Sequence, residues 1–407
     1  MIHSPLPPFS AWAGPRNPKI LFIGEAFGEG EDLTRQPFSG ESGKEFWRML
    51  GEANPDCAPE LHAWVTAKHK FGLAWIRDRH FWMAEAGIAF TNVVNLRPPG
   101  NKIPELCVQK KELPNDYDHS PIQKGLYLRP EYLPELSRLQ FEIETSKPNL
   151  IVCLGNTACW ALLRSTNISA IRGTTTTASG VGREDFTGRM EVKCLPTYHP
   201  AGVLYNWGWR PIVLADLMKA FREGEFPEIR RPERNIIVNP TLQETCSWIH
   251  ETIKNPPPFL GCDTETSLGM IDTIGFARSK DDALVIPFGP HRRRRGNNYL
   301  TTWPIRNGER VISYWEEWEE RIAWKLVKYI LDSPIPKVFQ NGMYDLQYLM
   351  RMGIFPNMDN SEDTMLLSHS LFPEMPKGLG FLGSIYTSEA SWKLMRTNPS
   401  DTEKRDE

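Results

Sequence analysis

The chain has 407 residues, of which 40% are hydrophobic and 24% charged, and its formal net charge is −3. This length exceeds one ordinary domain and predicts two. The composition is that of a folded globular chain and excludes a largely disordered one. The near-neutral charge excludes a basic field over the whole protein, so any contact with nucleic acid must be local.

The N-terminus and the lack of a long apolar stretch indicate an intracellular protein. The start, MIHSPLPPF, has no basic region followed by an apolar one, and no later stretch approaches the roughly 20 apolar residues of a membrane span. We expect a cytoplasmic location and no membrane partner. The seven cysteines include no CxxC pair, which predicts neither a disulfide framework nor a zinc site. Cys153 and Cys262 lie in or beside apolar runs and are expected in cores.

The first half of the chain alternates short, apolar, β-rich runs with segments of helical period. The strand-like runs are KILFIG, IAFTNVVN, NLIVCLG and EVKCLPTYHP, and the helix-like segments include ESGKEFWRML, NTACWALL and RPIVLADLMKAFRE. Such alternation predicts an α/β fold with a parallel sheet and helices on both faces.

The second half has a different order of elements. A charged, proline-rich stretch over 223–234 predicts a linker. A helix-like segment then precedes three strand-like runs, FLGCDTET, MIDTIGFARS and DALVIPF, whose close spacing predicts antiparallel neighbours. A long amphipathic helix near 314–332, a strand PKVFQN and two further helices follow. The polar tail 393–407 is expected to be disordered.

Three segments of the first half place polar side chains at strand ends. Glu25 and Glu31 follow the first strand, where ligands bind in open α/β sheets, and both could serve as general base or water positioner. A plain acidic surface loop explains them equally well. Asn92 can offer a donor and an acceptor to a planar amide edge, although a strand-end turn is the simpler explanation. His199 precedes a proline, and a lone histidine is more often structural than catalytic.

Taken in order, these motifs resemble family 4 uracil-DNA glycosylases over residues 17–222. GEAFGEGED and PFSG match the family's GE(G/A)PGxxED and PFVG, TNVVNLRPP matches TNxVKCRPP, and HPA completes the set. The segment PNLIVCLGNTA is similar to the family's PxxIVxLGxxA. The resemblance implies a uracil-DNA-glycosylase-like parallel-sheet sandwich that hydrolyses the N-glycosidic bond of uracil in DNA.

The resemblance also implies a substrate pocket. Phe38 would stack on the flipped base, Asn92 would read the uracil edge, and Ala26 would line the same pocket. A glycosylase must extrude its target nucleotide and read the base edge in a close pocket, which suits these residue types.

The catalytic residues implied by the resemblance are Glu25, Glu31 and His199. The two carboxylates would flank the attacking water, and His199 would stabilise the departing uracil anion as the bond breaks. This chemistry requires no metal.

Two departures from the family pattern concern a cofactor and a loop. Family 4 enzymes hold an iron–sulfur cluster on four cysteines, whereas Leu96 stands in the cysteine position of VKCRPP and no N-terminal CxxC is present. We therefore expect no iron–sulfur cluster. Phe27 replaces the proline of GEAPG, so the loop is expected to be less rigid or differently shaped.

Paired carboxylates also follow a strand of the second half. In GCDTETS, Asp263 and Glu265 are two residues apart, so both point to one side of the sheet, and a divalent cation would relieve their repulsion. A lone DxE is common, and simple exposure to solvent explains it more often. Further on, FQNGMYDLQYLMRMG places Asn341 and Asp345 four residues apart at a helix start.

DxE followed by NxxxDxxxL resembles the DnaQ-like 3′-5′ exonucleases, especially those fused to family A DNA polymerases of phages and bacteria. The resemblance covers 235–392 and implies an RNase H-like α/β domain. It also implies that Asp263, Glu265 and Asp345 hold Mg²⁺ or Mn²⁺ for two-metal hydrolysis. Asp363 is better explained as a helix N-cap than as a ligand.

One exonuclease element is missing from the second half. No YxxxD or HxxxD follows Ile385, so the domain is expected to be incomplete at its C-terminus. A downstream segment, or a DNA polymerase polypeptide, would complete it. The basic tract HRRRR at 291–295 is explained equally well as a phosphate contact or as a solvated loop.

The sequence thus predicts a DNA-binding protein of repair or replication editing, with uracil excision in the first domain and 3′ trimming in the second. In the alternative, the first domain is a non-catalytic, glycosylase-like module that tethers an exonuclease or polymerase to DNA.

Overall fold

The computed structural model describes most of the chain: residues 5–53, 74–178, 180–182, 184–185, 191–267, 269–288, 291–295, 298–302, 305–306, 309–310 and 314–389. The chain forms two units, one running to Arg230 and resuming at Gly380, the other spanning Arg231–Leu379. The tail 393–407 and the side chains of the tract 291–295 lie outside the described part.

The apolar runs of the first unit form strands. These are β1 (Ile20–Ala26), β2 (Ile88–Val94), β3 (Cys107–Gln109), β4 (Leu126–Leu128), β5 (Leu150–Leu154), β6 (Thr176–Ala178), β7 (Gly180–Val181), β8 (Glu184–Asp185) and β9 (Val192–Thr197). The main sheet has the order β2-β1-β5-β9-β6. Its first four strands pair in parallel and β6 pairs antiparallel, so the predicted parallel sheet is confirmed.

Helices cover both faces of this sheet. They are α1 (Glu29–Thr34), α2 (Glu41–Ala53), α3 (Ala74–Ala86), α4 (Pro134–Ser146), α5 (Gly155–Leu163), α6 (Ile168–Ile171), α7 (Pro200–Tyr205) and α8 (Arg210–Glu223). Leu21 and Ile23 of β1 pack in one apolar core with α4 and α5, whereas Ile20 and Phe22 pack in the other with α2 and α8. The period-two alternation of β1 thus serves two cores, as expected for a buried parallel strand.

The second unit has a mixed sheet in the order β10-β13-β12-β11-β18-β19. Its strands are β10 (Asn235–Val238), β11 (Leu260–Ser267), β12 (Met270–Ala277), β13 (Asp282–Pro287), β18 (Lys337–Phe339) and β19 (Glu362–Asp363). Strand β12 is antiparallel to β11 and β13, which confirms the prediction from their close spacing. Strands β18 and β19 extend the sheet in parallel beside β11.

Four helices accompany this second sheet. They are α9 (Leu242–Lys254), α10 (Glu317–Asp332), α11 (Gly342–Arg351) and α12 (Thr364–Leu371). Helix α13 (Leu379–Tyr386) follows them in the chain, and all but its first residue belongs to the first unit. Two short ladders, β14–β15 and β16–β17, join β13 to α10: their strands are His291–Arg295, Asn298–Thr302, Ile305–Arg306 and Glu309–Arg310. Helices α9 and α10 pack on one face of this sheet and bury Cys262. Cys153 lies in the core of the first unit, so both cysteines are buried in cores, as predicted.

The segment 380–389 packs with the first unit, whereas the sequence predicts a second domain that extends to residue 392. The reason is a buried lysine. Lys219 of α8 donates through Nζ to the carbonyl oxygens of Gly173 (2.6 Å), Ser384 and Thr387 (2.6 Å). A buried ammonium must be satisfied by hydrogen bonds, and the returning chain supplies two of the three acceptors.

The predicted linker 223–234 is partly tied to the first unit by a second buried lysine. Lys193 of β9 donates through Nζ to the carbonyl oxygens of Glu223 (2.7 Å), Phe226 (2.7 Å) and Glu228 (3.0 Å).

No helix long and apolar enough to cross a membrane occurs within the described ranges.

Candidate active site

The carboxyl ends of β1, β2 and β9 bring several predicted site residues together. Gly24 of β1 pairs in register with Asn92 of β2, and His199 follows β9 after two residues. Glu25 accepts a hydrogen bond at Oε2 from Thr157 Oγ1 of α5, at 2.5 Å. Because parallel strands end at one edge of a sheet, residues distant in sequence meet there.

Asn92 presents an unsatisfied amide. The residue is only 2% exposed, and among the described residues its Nδ2 has no hydrogen-bond partner. A side chain at position 24 would occupy the adjacent space: an added Cβ would lie 2.3 Å from Asn92 Oδ1 and 2.7 Å from Phe38 Cζ. A buried polar group without a partner destabilises a protein by about 1–3 kcal/mol, so its presence here points to a ligand.

Phe38 is held in place by its loop. Its backbone is left-handed (φ 55°), a conformation that non-glycine residues rarely adopt. Its N–H donates to Glu31 Oε1 at 2.5 Å, and Arg79 donates through Nη1 to the carbonyl oxygens of Pro37 and Phe38, both at 3.0 Å. The ring is 2% exposed and lies 5.3 Å from the Phe46 ring, centroid to centroid.

Glu31 holds the backbone of this loop. Its carboxylate accepts hydrogen bonds from the N–H groups of Gly28 and Phe38, both at 2.5 Å. Burial raises the pKa of Glu31, whereas the two N–H donors and the charge of Arg79 oppose that rise. Both carboxylate oxygens are thus used inside the loop. This geometry makes Glu31 a positioning residue for Phe38, and the expected contact with an attacking water stays a prediction.

His199 lies in surroundings that favour the neutral imidazole and one tautomer. Its Nδ1 accepts from the backbone N–H of Ala201 at 3.2 Å, so the ring proton lies on Nε2. Burial lowers the pKa of His199, and the nearby Glu25 carboxylate partly opposes that shift. The ring centroid lies 6.3 Å from that of Phe38, at an interplanar angle of 30°. The site therefore places a hydrogen-bond donor beside an aromatic face.

The structure brings Glu25, Phe38, Asn92 and His199 into one site. Ala26 is the last residue of β1, is partly buried, and pairs with Val94. The sequence predictions missed a group on α4 that contacts β2, namely Glu135, Arg138 and Glu142. Their spacing of three and four residues puts them on one helical face, which was an available signal.

The carboxylates predicted to bind metal in the second unit lie on β11 and α11. Asp263 and Glu265 are exposed on either side of the buried Thr264. Asp345 is buried, and accepts hydrogen bonds from Thr264 N (2.8 Å) and Thr264 Oγ1 (2.7 Å). Burial raises the pKa of Asp345. Within the described ranges there is no group of at least three His, Cys, Asp or Glu side chains that could hold a metal ion.

Asp363 caps a helix, as predicted. Its Oδ1 accepts from the backbone N–H groups of Met365 (2.8 Å) and Leu366 (3.3 Å) at the start of α12. This is the usual arrangement of an N-cap aspartate.

Comparison with known proteins agrees with the family resemblance predicted for the first unit. Residues 11–222 match the profile described as the Uracil DNA glycosylase superfamily, and this match covers more than half of the chain. The chain belongs to the uracil DNA glycosylase superfamily. It is 26% identical over 206 residues to the type-4 uracil-DNA glycosylase of Saccharolobus solfataricus, covering 49% of this chain and 69% of that protein.

Two further relatives in the superfamily are also type-4 uracil-DNA glycosylases. The Archaeoglobus fulgidus protein is 27% identical over 198 residues, which cover 47% of this chain and 70% of that protein. The Thermotoga maritima protein is 27% identical over 207 residues, which cover 50% of this chain and 76% of that protein.

The described cysteines of this superfamily member do not fit an iron–sulfur cluster. Leu96, at the expected cysteine position, packs against the apolar core. Burial raises the pKa of Cys107 to about 11, and Cys153 and Cys194, which hydrogen-bond through their thiols, also have raised pKa values. Among the residues that the structure describes, no group of three or more metal-ligating side chains is placed to hold a metal. Cys57 lies outside the described residues, and the expected absence of a cluster stays a prediction.

Proposed function

We propose that the first unit excises uracil from DNA by hydrolysing the N-glycosidic bond. The observation that carries this proposal is the buried, unpaired Nδ2 of Asn92 beside Phe38 and the neutral His199. An amide offers a donor and an acceptor, which complement the carbonyl and N–H along a uracil edge. Membership of the superfamily and the names of its type-4 relatives support the same activity.

The reaction follows from the chemistry of these side chains. Phe38 stacks on the extruded base, while Asn92 pairs with its edge. As the glycosidic bond breaks, negative charge develops on the uracil ring, and the Nε2–H of His199 donates to it. Stabilisation of developing charge by a fixed donor contributes about 2.7–4 kcal/mol in comparable sites. Glu25, held by Thr157, orients the water that attacks the sugar carbon.

The surface beyond His199 supports contact with DNA. Tyr205 is 92% exposed and Trp207 is 61% exposed, and both follow His199 within eight residues. Aromatic side chains stack on nucleic-acid bases regardless of sequence, with about 1–3 kcal/mol per base. Since the net charge of the chain is −3, such stacking would supply affinity that a general electrostatic field cannot.

The first prediction is that the purified chain releases uracil from a uracil-containing DNA strand in the presence of EDTA. The proposed chemistry uses only side chains, so chelation should leave the rate unchanged. The measurement is strand cleavage by alkali after incubation, with a thymine-containing strand as control. Intact uracil strands would favour the alternative function, a non-catalytic module that tethers a nuclease or polymerase to DNA.

For the second unit we propose an RNase H-like domain related to 3′-5′ exonucleases. The strand order supports it: β13, β12 and β11 form an antiparallel meander, and β18 and β19 continue in parallel beside β11. Asp263 and Glu265 lie within β11 and form the DxE motif. The described carboxylates do not fit a preformed two-metal site, however, and we derive no step that uses Mg²⁺ or Mn²⁺.

The second prediction is that this chain trims uracil-free DNA from the 3′ end only weakly, and more with Mn²⁺ than with Mg²⁺. Asp345 Oδ1 already accepts hydrogen bonds from Thr264 N and Thr264 Oγ1, so this oxygen would have to give them up to bind a cation. Trimming of a 5′-labelled strand should disappear in Asp263→Ala but persist in Asp332→Ala. Rapid Mg²⁺-dependent degradation would contradict this prediction.

A further inference from the structure

Strand β2, which contains Asn92, lies at the edge of the first sheet. Edge strands leave backbone groups without a neighbouring strand. Around Asn92 a helix supplies the missing partners. Arg138 of α4 donates through Nη2 to the carbonyl oxygens of Asn92 (2.7 Å) and Val93 (3.0 Å), and Glu135 Oε2 accepts from the N–H of Asn95 (3.1 Å). A guanidinium and a carboxylate thus substitute for a strand at this point.

The same side chains form a closed ionic network. Arg138 donates through Nε to Glu135 (2.8 Å) and through Nη1 to Glu142 (2.6 Å), and Thr91 Oγ1 donates to Glu142 (2.9 Å). The exposed fractions of the three charged side chains are 1% or less. Removing charges from water is costly, so such a network persists only with nearly complete hydrogen bonding and a well-defined geometry.

The network matters for Asn92 because no described residue accepts a hydrogen bond from its side-chain Nδ2. The backbone of β2 therefore largely decides where the amide points. The neighbours of Asn92 along β2, Thr91 and Val93, are both bound by the network. A displacement of about 1 Å in a recognition group can reduce activity by about 10²-fold.

We infer that Arg138 is a positioning residue for recognition of the uracil edge: it fixes the backbone of Asn92 and so aims its amide at the base. This inference rests on the proposed uracil excision. Arg138 does not touch the substrate. Its effect is transmitted through the Asn92 carbonyl, which its guanidinium contacts directly.

The third prediction tests this inference with Arg138→Lys in the full chain. Lysine keeps the charge but is a compact donor that cannot span two carboxylates and two carbonyls as a guanidinium does. We expect kcat/KM for uracil excision to fall about 10- to 100-fold, and the inhibition constant of free uracil to rise by a similar factor. In an Asn92→Ala background, Arg138→Lys should add little, because both changes act on the same contact.

Arg172→Lys is the matched control. Arg172 is also buried in the first unit, and its guanidinium donates to Asp216 and Ser384 rather than to the carbonyl oxygens of Asn92 and Val93. It should lower the thermal midpoint without weakening inhibition by free uracil. If Arg138→Lys does not fold, Glu135→Gln replaces it, since glutamine keeps an acceptor for Asn95 N–H while weakening the hold on Arg138.

Two results would overturn the inference: normal uracil inhibition in a folded Arg138 or Glu135 variant, or full additivity with Asn92→Ala. Either would show that Arg138 only stabilises the fold. Failure of the proposed function differs from both, because the wild-type chain would then neither release uracil nor be titrated by free uracil in an equilibrium binding measurement.

Discussion

His199→Ala is expected to lower the rate of uracil release by about 10²- to 10³-fold, the usual loss when one donor to a developing anion is removed. KM should change little, since the donor acts mainly as the bond breaks. The measurement is single-turnover excision from a uracil-containing strand. His250→Ala, an exposed histidine of the second unit, is the control and should behave as wild type.

The pH dependence gives an independent readout of the same residue. Burial lowers the pKa of His199 below its ordinary value of 6.5, so the imidazole stays neutral to lower pH than a free histidine. If protonation of His199 limits excision, the rate should therefore decline only below pH 6.5. In a plot of rate against pH, this acid limb should be absent from the residual activity of His199→Ala. An acid limb at higher pH, or one that persists in the variant, would contradict the assigned role.

Gly24→Ala is expected to remove uracil binding and excision together, by at least about 10²-fold. The added Cβ would lie 2.3 Å from Asn92 Oδ1 and 2.7 Å from Phe38 Cζ, so both recognition groups must move. Overpacking of this kind also lowers the free energy of unfolding by about 1–3 kcal/mol. Equilibrium binding of free uracil and the thermal midpoint should be measured on the same samples.

Gly40→Ala is the matched control in the same region, because an added Cβ there meets no atom within 4 Å. It should keep uracil binding. A Gly24→Ala protein that binds uracil normally would show that the base does not enter between Asn92 and Phe38, and the pocket would have to lie elsewhere. If binding is lost but Gly40→Ala loses it equally, the loop rather than the added Cβ is responsible.

Much of the first unit could be predicted because its signals are local. The alternation of apolar runs and helical periods indicates buried parallel strands with helices on both faces, and Leu21 with Phe22 shows how one strand serves two cores. Glu25, Asn92 and His199 lie at, near or just beyond the carboxyl ends of their strands, and the resemblance to family 4 glycosylases implied that they share one site. The close spacing of β11, β12 and β13 likewise indicated an antiparallel order.

The contacts that orient these residues could not be predicted in this way. Only the folded loop decides that the Glu31 carboxylate accepts from the N–H groups of Gly28 and Phe38, and its expected contact with the attacking water stays a prediction. Asp345 is four residues from Asn341, as the motif requires, but only the folded chain decides that its Oδ1 accepts hydrogen bonds from Thr264, while its role as a metal ligand stays a prediction.

The sequence by itself thus determined which elements form, in what order, and which polar residues lie at their ends, because hydrophobic period and motif spacing are read along the chain. The tertiary structure alone decided that Arg138 would meet the open carbonyls of β2, and that Lys219 would take the carbonyls of Ser384 and Thr387. Such partners are distant in sequence, and the requirement to satisfy a buried charge selects them only once the chain has closed around it.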